Sequence, residues 1–555
     1  MKALKGLVKI KKLLILLLSA AVLCSCSKEL EYPDTPPEQT SATEDSEKEI
    51  EQETILIVPE QTRQDYDMYE PADFVVAEEE YSESYQLEFN TDAYSYTEGL
   101  YGFNGTGFIC LSSGDNATIS VTVPSSQHYK IGLRICSTGS KTAVITGAKN
   151  KIDDNGNEVL DGGDTWGAVY VDESVIFDYF YLDSVYLNKG ENNITLKVLS
   201  GIAYFDDITI ESSSTVTELA YAISNSCINK DSTDMTKSVK KYLADVYGNK
   251  VITGQFCSSG TNTEINAIYM DTGRYSAMRC ADLGIFTEYY PDSDKNSPDE
   301  INTASEWWKN GGLVNYTWYW YAPTDDDSHI FTELTDFRLK DAVTTSDVAS
   351  LDPETLSLYE QTGKISSDCY DIIRDIDLVS AQLKLLAAQD VPVIFRPLPE
   401  AGNGWYWWGT DSESYLWLYN LIYERMTNYH QLNNLIWVWD GEAADFYPGD
   451  ERVDIVGMDM YADSDISGNT RMLDALKYTI KTKACALTEC GTIPNPDKIA
   501  RDNALWLWFA LWKGDYIINA DGSINYSHCS HKQLDYAYNN ELFITLDELP
   551  DFTRY

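Results

Sequence analysis

From Leu219 to about Leu546 the chain repeats one unit: a short apolar run, a polar turn, then a stretch whose apolar residues recur every three or four positions. Eight runs read as strands: "KVITGQF" (Lys250–Phe256), "YSAMRCAD" (Tyr275–Asp282), "GLVNYTWYW" (Gly312–Trp320), "VPVIFRPLPE" (Val391–Glu400), "NLIWVWDG" (Asn434–Gly441), "VDIVGMDMY" (Val453–Tyr461), "ACALTECG" (Ala484–Gly491) and "LWLWFALWK" (Leu505–Lys513). Several are apolar without interruption, as a sheet covered on both faces requires. Between most of them lie helical stretches. The clearest is Ser367–Gln389, with a polar start and apolar residues three and four apart. Eight strands with helical crossovers over roughly 300 residues predict a closed (β/α)8 TIM barrel. A doubly wound open sheet would share the alternation, but no GxGxxG or P-loop follows any strand.

Ahead of this region the period changes from three and a half to two. "ATISVTV" (Ala117–Val123), "YKIGLRIC" (Tyr129–Cys136), "NITLKVL" (Asn193–Leu199) and "AYFDDITI" (Ala203–Ile210) alternate apolar with polar and are separated by turn residues. That pattern predicts an all-β sandwich. Residues 27–80 have no such pattern. They carry 18 Asp and Glu against 3 Lys and Arg, with Pro33, Pro36 and Pro37 near the start. Such a segment buries too little apolar surface to fold and extends by self-repulsion, so it reads as an acidic tether. Residues 1–26 read as a targeting leader: Lys2, Lys5, Lys9, Lys11 and Lys12, then apolar Leu13–Leu23, then "LCSC". The small residue before Cys26 resembles the bacterial lipoprotein signal and makes Cys26 the expected lipidated residue. The chain is therefore expected to be multidomain: leader 1–26, tether 27–80, all-β sandwich 81–213 and barrel 219–546.

Composition narrows the partners. A length of 555 residues exceeds one hydrophobic core. The formal net charge of −47 argues against nucleic acid and favours a neutral or cationic ligand. Aromatic residues reach 12%, with 39 Tyr and 14 Trp, a supply suited to stacking on sugar rings. None of the 11 cysteines forms a CxxC pair; Cys110 and Cys136 can pair, and Cys485 and Cys490 read as buried thiols. "HCSH" (His528–His531) reads as a solvated loop.

Barrel active sites lie at the C-terminal ends of the strands. Here those ends carry Asp282, Trp318, Glu400, Tyr461, Glu489 and Trp512. Glu400 and Glu489 close the fourth and seventh strands, across the mouth from one another. Hydrolysing a glycosidic bond needs two carboxyl groups, one protonated to release the leaving oxygen and one ionised to attack the anomeric carbon. In a retaining enzyme they stand about 5–5.5 Å apart. Four aromatics after Glu400, Trp405 to Trp408, are expected as exposed walls for sugar stacking. Two-carboxylate chemistry needs no metal.

Joined in order, "FRPLPEAGNGWYWWG" (Phe395–Gly409), "NLIWVWDG", "FYPGDERVDIVGMDMY" (Phe446–Tyr461) and "ALTECG" (Ala486–Gly491) resemble glycoside hydrolase family 26. The resemblance implies a retaining double displacement, with Glu400 as acid/base and Glu489 as nucleophile. It further implies that Tyr461 bonds the nucleophile, that Arg396 supports the carboxylates from below, and that Trp408 and Trp512 form floor and side of the subsites. Trp318, Tyr319 and Trp405 complete the expected sugar contacts. Two positions depart from the family, which usually has His where Pro399 and Tyr319 stand. The implied activity is endo-β-1,4-mannanase; β-1,3-xylan, mixed-linkage β-glucan and a non-catalytic glycan-binding lipoprotein are the alternatives. The sandwich resembles carbohydrate-binding module family 35 through Glu88, "YGFNGTGFI" (Tyr101–Ile109), "LNKGENNITL" (Leu187–Leu196) and "FDDITI". That implies a jelly roll binding glycan in loops, Trp166 among them, often with a structural calcium. The expected whole is a monomer acting on polysaccharide, tethered to a membrane by its lipid, in the periplasm or on the surface of a Gram-negative bacterium.

Overall fold

The computed structural model describes residues 75–77, 82–86 and 94–95, then 99–555 apart from 106, 139–141, 149–150, 153–157, 160–164, 292–298, 325–326, 462–466 and 480–482. Cys26, the leader and most of the tether lie outside the described residues.

Eight parallel strands close into a barrel: Val251–Phe256, Met278–Asp282, Leu313–Trp318, Val393–Pro397, Leu435–Trp439, Ile455–Met460, Ala484–Cys490 and Trp508–Leu511. Each pairs with the next, and Ile252 of the first lies opposite Trp508 of the eighth, so the sheet has no free edge at that seam. A ninth strand, Phe543–Ile544, pairs outside the ring with Val251 and Ile252. All eight barrel strands are buried from end to end, which is why they read as unbroken apolar runs. They pair over fewer residues than the apolar runs suggest. The fourth stops at Pro397 because Leu398 and Glu400 both adopt positive φ, 54° and 52°, and turn the chain out of the sheet.

The crossover helix predicted from residue 367 spans Ser367–Ala387. The Ser366 hydroxyl accepts from the Cys369 N–H, filling the N-cap, and Cys369, Ile372, Ile376, Val379, Leu383 and Leu386 form its buried stripe. Barrel packing runs past residue 546: Phe552 is buried, edge-on to Tyr242 and stacked on Trp308.

The N-terminal domain is a sandwich of two antiparallel sheets. One orders Thr165–Val171, Thr142–Ala148, Gly190–Ser200 and Asn116–Val123. The other runs Ser174–Leu187, Gln127–Ser137, Ile202–Ser212, Phe108–Ser112 and Tyr94–Ser95, with Ser82–Gln86 also paired to Ile202–Ser212. Alternate residues of both sheets, among them Val121, Ile194 and Leu196 facing Ile131, Leu133 and Phe205, fill one core. Val75–Ala77, within the stretch read as tether, is a strand paired antiparallel with Ser214–Val216, a pairing that composition did not suggest. No disulfide joins Cys110 and Cys136, and Cys485 and Cys490 are buried thiols.

Sandwich and barrel meet through polar groups. His128 Nε2 lies 3.3 Å from Oδ1 of Asp502, whose other carboxyl oxygen accepts from the barrel's own Ser467, and Asn503 Nδ2 donates at 2.8 Å to the carbonyl of Val216 in the strand that follows the sandwich. The Arg501 guanidinium lies over the Tyr186 ring, 5.2 Å from its centroid.

Candidate active site

Side chains alternate between the two faces of a strand, and this sorts the expected site residues. On the third strand Tyr316 points outward, its hydroxyl donating to Glu300 Oε1 (2.7 Å) on the helix Glu300–Lys309. Trp318 shares that face: it is fully buried and stacked on Trp320 at 4.2 Å, in the layer between strands and helices. Trp318 is therefore a packing residue and not a subsite wall. Its neighbour Tyr319, one residue on, points the opposite way into the mouth.

Glu489 lies within the seventh strand beside a register shift that re-aims its side chain. Its carboxylate collects three donors. Arg396 Nη2 and Tyr319 Oη (2.6 Å) reach Oε1, and Tyr461 Oη (2.7 Å) reaches Oε2. Arg396 is fully buried and donates through Nη1 to Asp440 and to Asp459 (3.1 Å), so it sits beneath the mouth. Thr488 Oγ1 bonds Asp440 and Asp459, at 3.1 and 2.7 Å.

Glu400 has the opposite setting. It adopts a left-handed conformation that non-glycine residues rarely take. Its N–H donates to the Asp440 carbonyl at 2.6 Å, and Gly402 N donates to the Gly441 carbonyl at 2.7 Å, stitching the loops after strands four and five together. A Cβ on Gly402 would lie 2.5 Å from Ala443 Cβ, so only glycine permits this approach. The Glu400 carboxyl accepts from Tyr406 Oη at 3.1 Å and Asn403 Nδ2 at 3.3 Å, with no cation among these partners. Burial first, then the charges of Asp459, Glu489 and Glu442, push it up to about 9 against the pull of Arg396. Burial and Asp459 likewise hold Asp440 well above the usual carboxylate range, and burial lifts Asp459 to about 6. Glu400 and Glu489 are only 7% and 1% exposed, so both lie further from bulk solvent than an open barrel mouth suggests.

Of the four aromatics expected as exposed walls, one is exposed. Trp405 is 55% exposed; Tyr406, Trp407 and Trp408 are buried because each polar tip has an internal partner. Trp407 Nε1 donates to the Trp320 carbonyl (2.6 Å), Trp408 Nε1 to the Pro399 carbonyl (2.9 Å), and Tyr406 Oη to Glu400. Tyr406 is itself sandwiched between Trp408 at 4.6 Å and Phe331 at 5.4 Å. Trp512 is partly buried, tilted on Phe256 and edge-on to Tyr319. Tyr461 is 45% exposed at the rim. Trp166 belongs to the strand Thr165–Val171, but its side chain lies outside the described residues.

Sequence reasoning missed Asp440, Glu442, Asp459 and Arg471. Glu442 accepts from the Asp459 N–H and from Arg471, both at 2.8 Å. A signal was present: Asp440 follows a wholly apolar strand and Asp459 interrupts one. Among the described residues no group of three or more His, Cys, Asp or Glu can hold a metal ion. In the sandwich, Asp206 and Asp207 face Arg134, Tyr179 and Asn104. Glu88, one of the residues on which the resemblance to carbohydrate-binding module family 35 rests, lies outside the described residues.

The profile of glycosyl hydrolase family 26 matches residues 228–548. A mannan endo-1,4-β-mannosidase of Thermothelomyces thermophilus is 31% identical over 467 residues, covering 81% of this chain and 86% of that one. Mannan endo-1,4-β-mannosidase B of Piromyces sp is 29% identical over 469 residues, covering 82% and 75%. The crystal structure of a Podospora anserina GH26-CBM35 β-(1,4)-mannanase superposes with TM-score 0.53 and 27% identity, covering 85% of this chain and 99% of that one. The match spans strands one to eight and the loops that carry both glutamates, and with it the chain belongs to glycosyl hydrolase family 26.

Proposed function

We propose that the chain is a retaining endo-β-1,4-mannanase in which Glu400 is the acid/base and Glu489 the nucleophile. The observation that carries this reading is the contrast between two glutamates of one barrel mouth. Glu400 keeps its proton at neutral pH, while Glu489 accepts from a guanidinium and two phenols, donors that a charged carboxylate can satisfy together. In the first step the Glu400 proton passes to the leaving oxygen as Glu489 attacks the anomeric carbon. Forming the glycosyl ester removes the Glu489 charge, one of the charges that hold the Glu400 proton. Glu400, now ionised, is then held less strongly toward protonation, so it stays a carboxylate and acts as base toward water. Mannan as substrate is supported by the mannan endo-1,4-β-mannosidases that match this chain over four fifths of its length. Trp405, exposed beside Tyr406, is the ring on which a sugar stacks; Arg396 and Trp408 act from beneath.

The sandwich is proposed as a family 35 carbohydrate-binding module, supported by the two-module relative that spans almost the same length. Lipidation at Cys26, and with it attachment to a membrane, rests on the leader sequence.

Incubation with mannan, β-1,3-xylan and mixed-linkage β-glucan, followed by proton NMR of the first anomer released, tests the assignment. Mannan alone is expected to fall quickly in viscosity and to release the β-anomer. Release of the α-anomer, or turnover of either other glycan in preference, overturns it.

A further inference from the structure

We propose that Tyr319 is a positioning residue of the displacement: its hydroxyl ties down Oε1 of Glu489 and leaves Oε2 to attack. The inference rests on the reading of Glu489 as nucleophile. It starts from an asymmetry. Oε1 receives both Arg396 and Tyr319, whereas Oε2 receives Tyr461 from the exposed rim. An oxygen whose lone pairs are committed to two buried donors is the weaker nucleophile of the two.

Tyr319 is built to hold that oxygen rather than to greet a sugar. It is 8% exposed. Its N–H donates to Asp282 Oδ1 at 3.0 Å, and the same oxygen takes the Gly284 N–H at 2.9 Å. A Cβ on Gly284 would lie 2.3 Å from the Tyr319 carbonyl oxygen, so the loop after strand two closes directly on this backbone. The ring stands edge-on to Tyr406 at 5.6 Å and to Trp512 at 5.9 Å, so it is packed between two aromatic neighbours. The phenol oxygen of Tyr319 is thus already committed to the nucleophile.

The chemistry balances on these atoms. The Oε2–C1 bond forms, the C1–O bond to the leaving sugar breaks, and the Glu400 proton moves to that oxygen. Oε1 becomes the carbonyl oxygen of the glycosyl ester and keeps the Tyr319 hydrogen bond. In the second step a water oxygen bonds to C1, its proton goes to Glu400, and Oε2 departs with the electron pair. The Tyr319 donor stabilises the carboxylate that reforms.

The full-length Tyr319→Phe and Tyr319→His variants, assayed on manno-oligosaccharide across pH beside Glu489→Ala, decide the matter. Tyr319→Phe is expected to lower kcat roughly 10- to 100-fold, the worth of a hydrogen bond to a charged group. KM should change little, and the acidic limb of the kcat/KM profile should move to higher pH because the carboxylate has lost a donor. Tyr319→His, too short to reach Oε1, is expected to show the same displaced limb and serves if the Phe variant does not fold. An unmoved acidic limb overturns the proposal, as does a rise in KM with kcat intact, the mark of a substrate contact. An active Glu489→Ala enzyme instead removes the nucleophile reading itself.

Discussion

Glu400 and Glu489 are the same residue made unlike by their surroundings. One is buried among like charges with phenol and amide partners; the other faces Arg396. The sign of the consequence is fixed. The Glu400 proton is held up to about pH 9 in the native state but released near 4.5 when unfolded. From pH 4.5 upward the group therefore costs stability, on the order of 3 kcal/mol at pH 7, and almost none below pH 4. Glu400→Gln, neutral at every pH, is expected to melt several degrees above the parent at pH 7 and level with it at pH 4; equal shifts at both would contradict the raised proton affinity. On activity, Glu400→Ala should retain turnover of substrates with good leaving groups and lose it on mannan, as aryl-glycoside and polysaccharide assays would compare. Arg396→Met leaves Asp440, Asp459 and Glu489 without their shared cation. It is expected to cost about 3 to 5 kcal/mol by denaturant titration and to abolish activity. At this scale the sequence disclosed the two glutamates through their places at strand ends. The carboxyls beneath them left only a partial signal: an acid at the end of or within an apolar strand points to burial, but not to the distant arginine that partners it.

At the scale of elements, the loop after the fourth strand is what holds the acid in place. Two indole N–H groups anchor it, one to the Trp320 carbonyl and one to that of Pro399, and Gly402 lets it lie against the next loop. The expectation of a wall of exposed rings failed here for a physical reason. Three of the four aromatics have polar tips that find partners inside, so burial gains apolar contact without stranding a donor. Trp407→Phe is expected to lower stability by about 1 to 3 kcal/mol, through the lost hydrogen bond and the space left, and to lower kcat as the loop loosens. Gly402→Ala should lower kcat more than it raises KM, since the clash with Ala443 displaces Glu400 rather than the Trp405 platform. Thermal melts and steady-state kinetics on mannan test both. A Trp407→Phe enzyme with parental melting and kcat would mean the clamp is ornamental.

At the scale of the whole molecule, sandwich and barrel are coupled through Asp502. Burial alone would raise its carboxyl, but hydrogen bonds from His128, Arg501 and Ser467 outweigh burial and hold it down at about 2. A depressed carboxyl stabilises the native state above its unfolded value of 3.8, and the contribution is lost as pH falls toward 2. Asp502→Asn is therefore expected to cost roughly 2 kcal/mol at neutral pH and to flatten the loss of stability between pH 4 and 2. Calorimetry of the parent should give one cooperative transition for both domains, and of the variant two. One unchanged transition in the variant would show that the two domains are joined by other contacts.

The sequence by itself determined the periodicities, and through them the barrel, the sandwich and the strand ends on which Glu400 and Glu489 fall. Those follow from backbone geometry acting on neighbours, which any stretch of chain carries within itself. Only the tertiary structure decided that Trp318 packs outward while Tyr319 reaches the nucleophile, that Trp405 alone of its run is exposed, and that Asp440 and Asp459 share Arg396. These outcomes depend on which distant residue occupies the facing position once the sheet has closed. Hydrogen bonds between strands four, five, six and seven join residues up to 93 apart in sequence, and no local pattern encodes a partner at that distance.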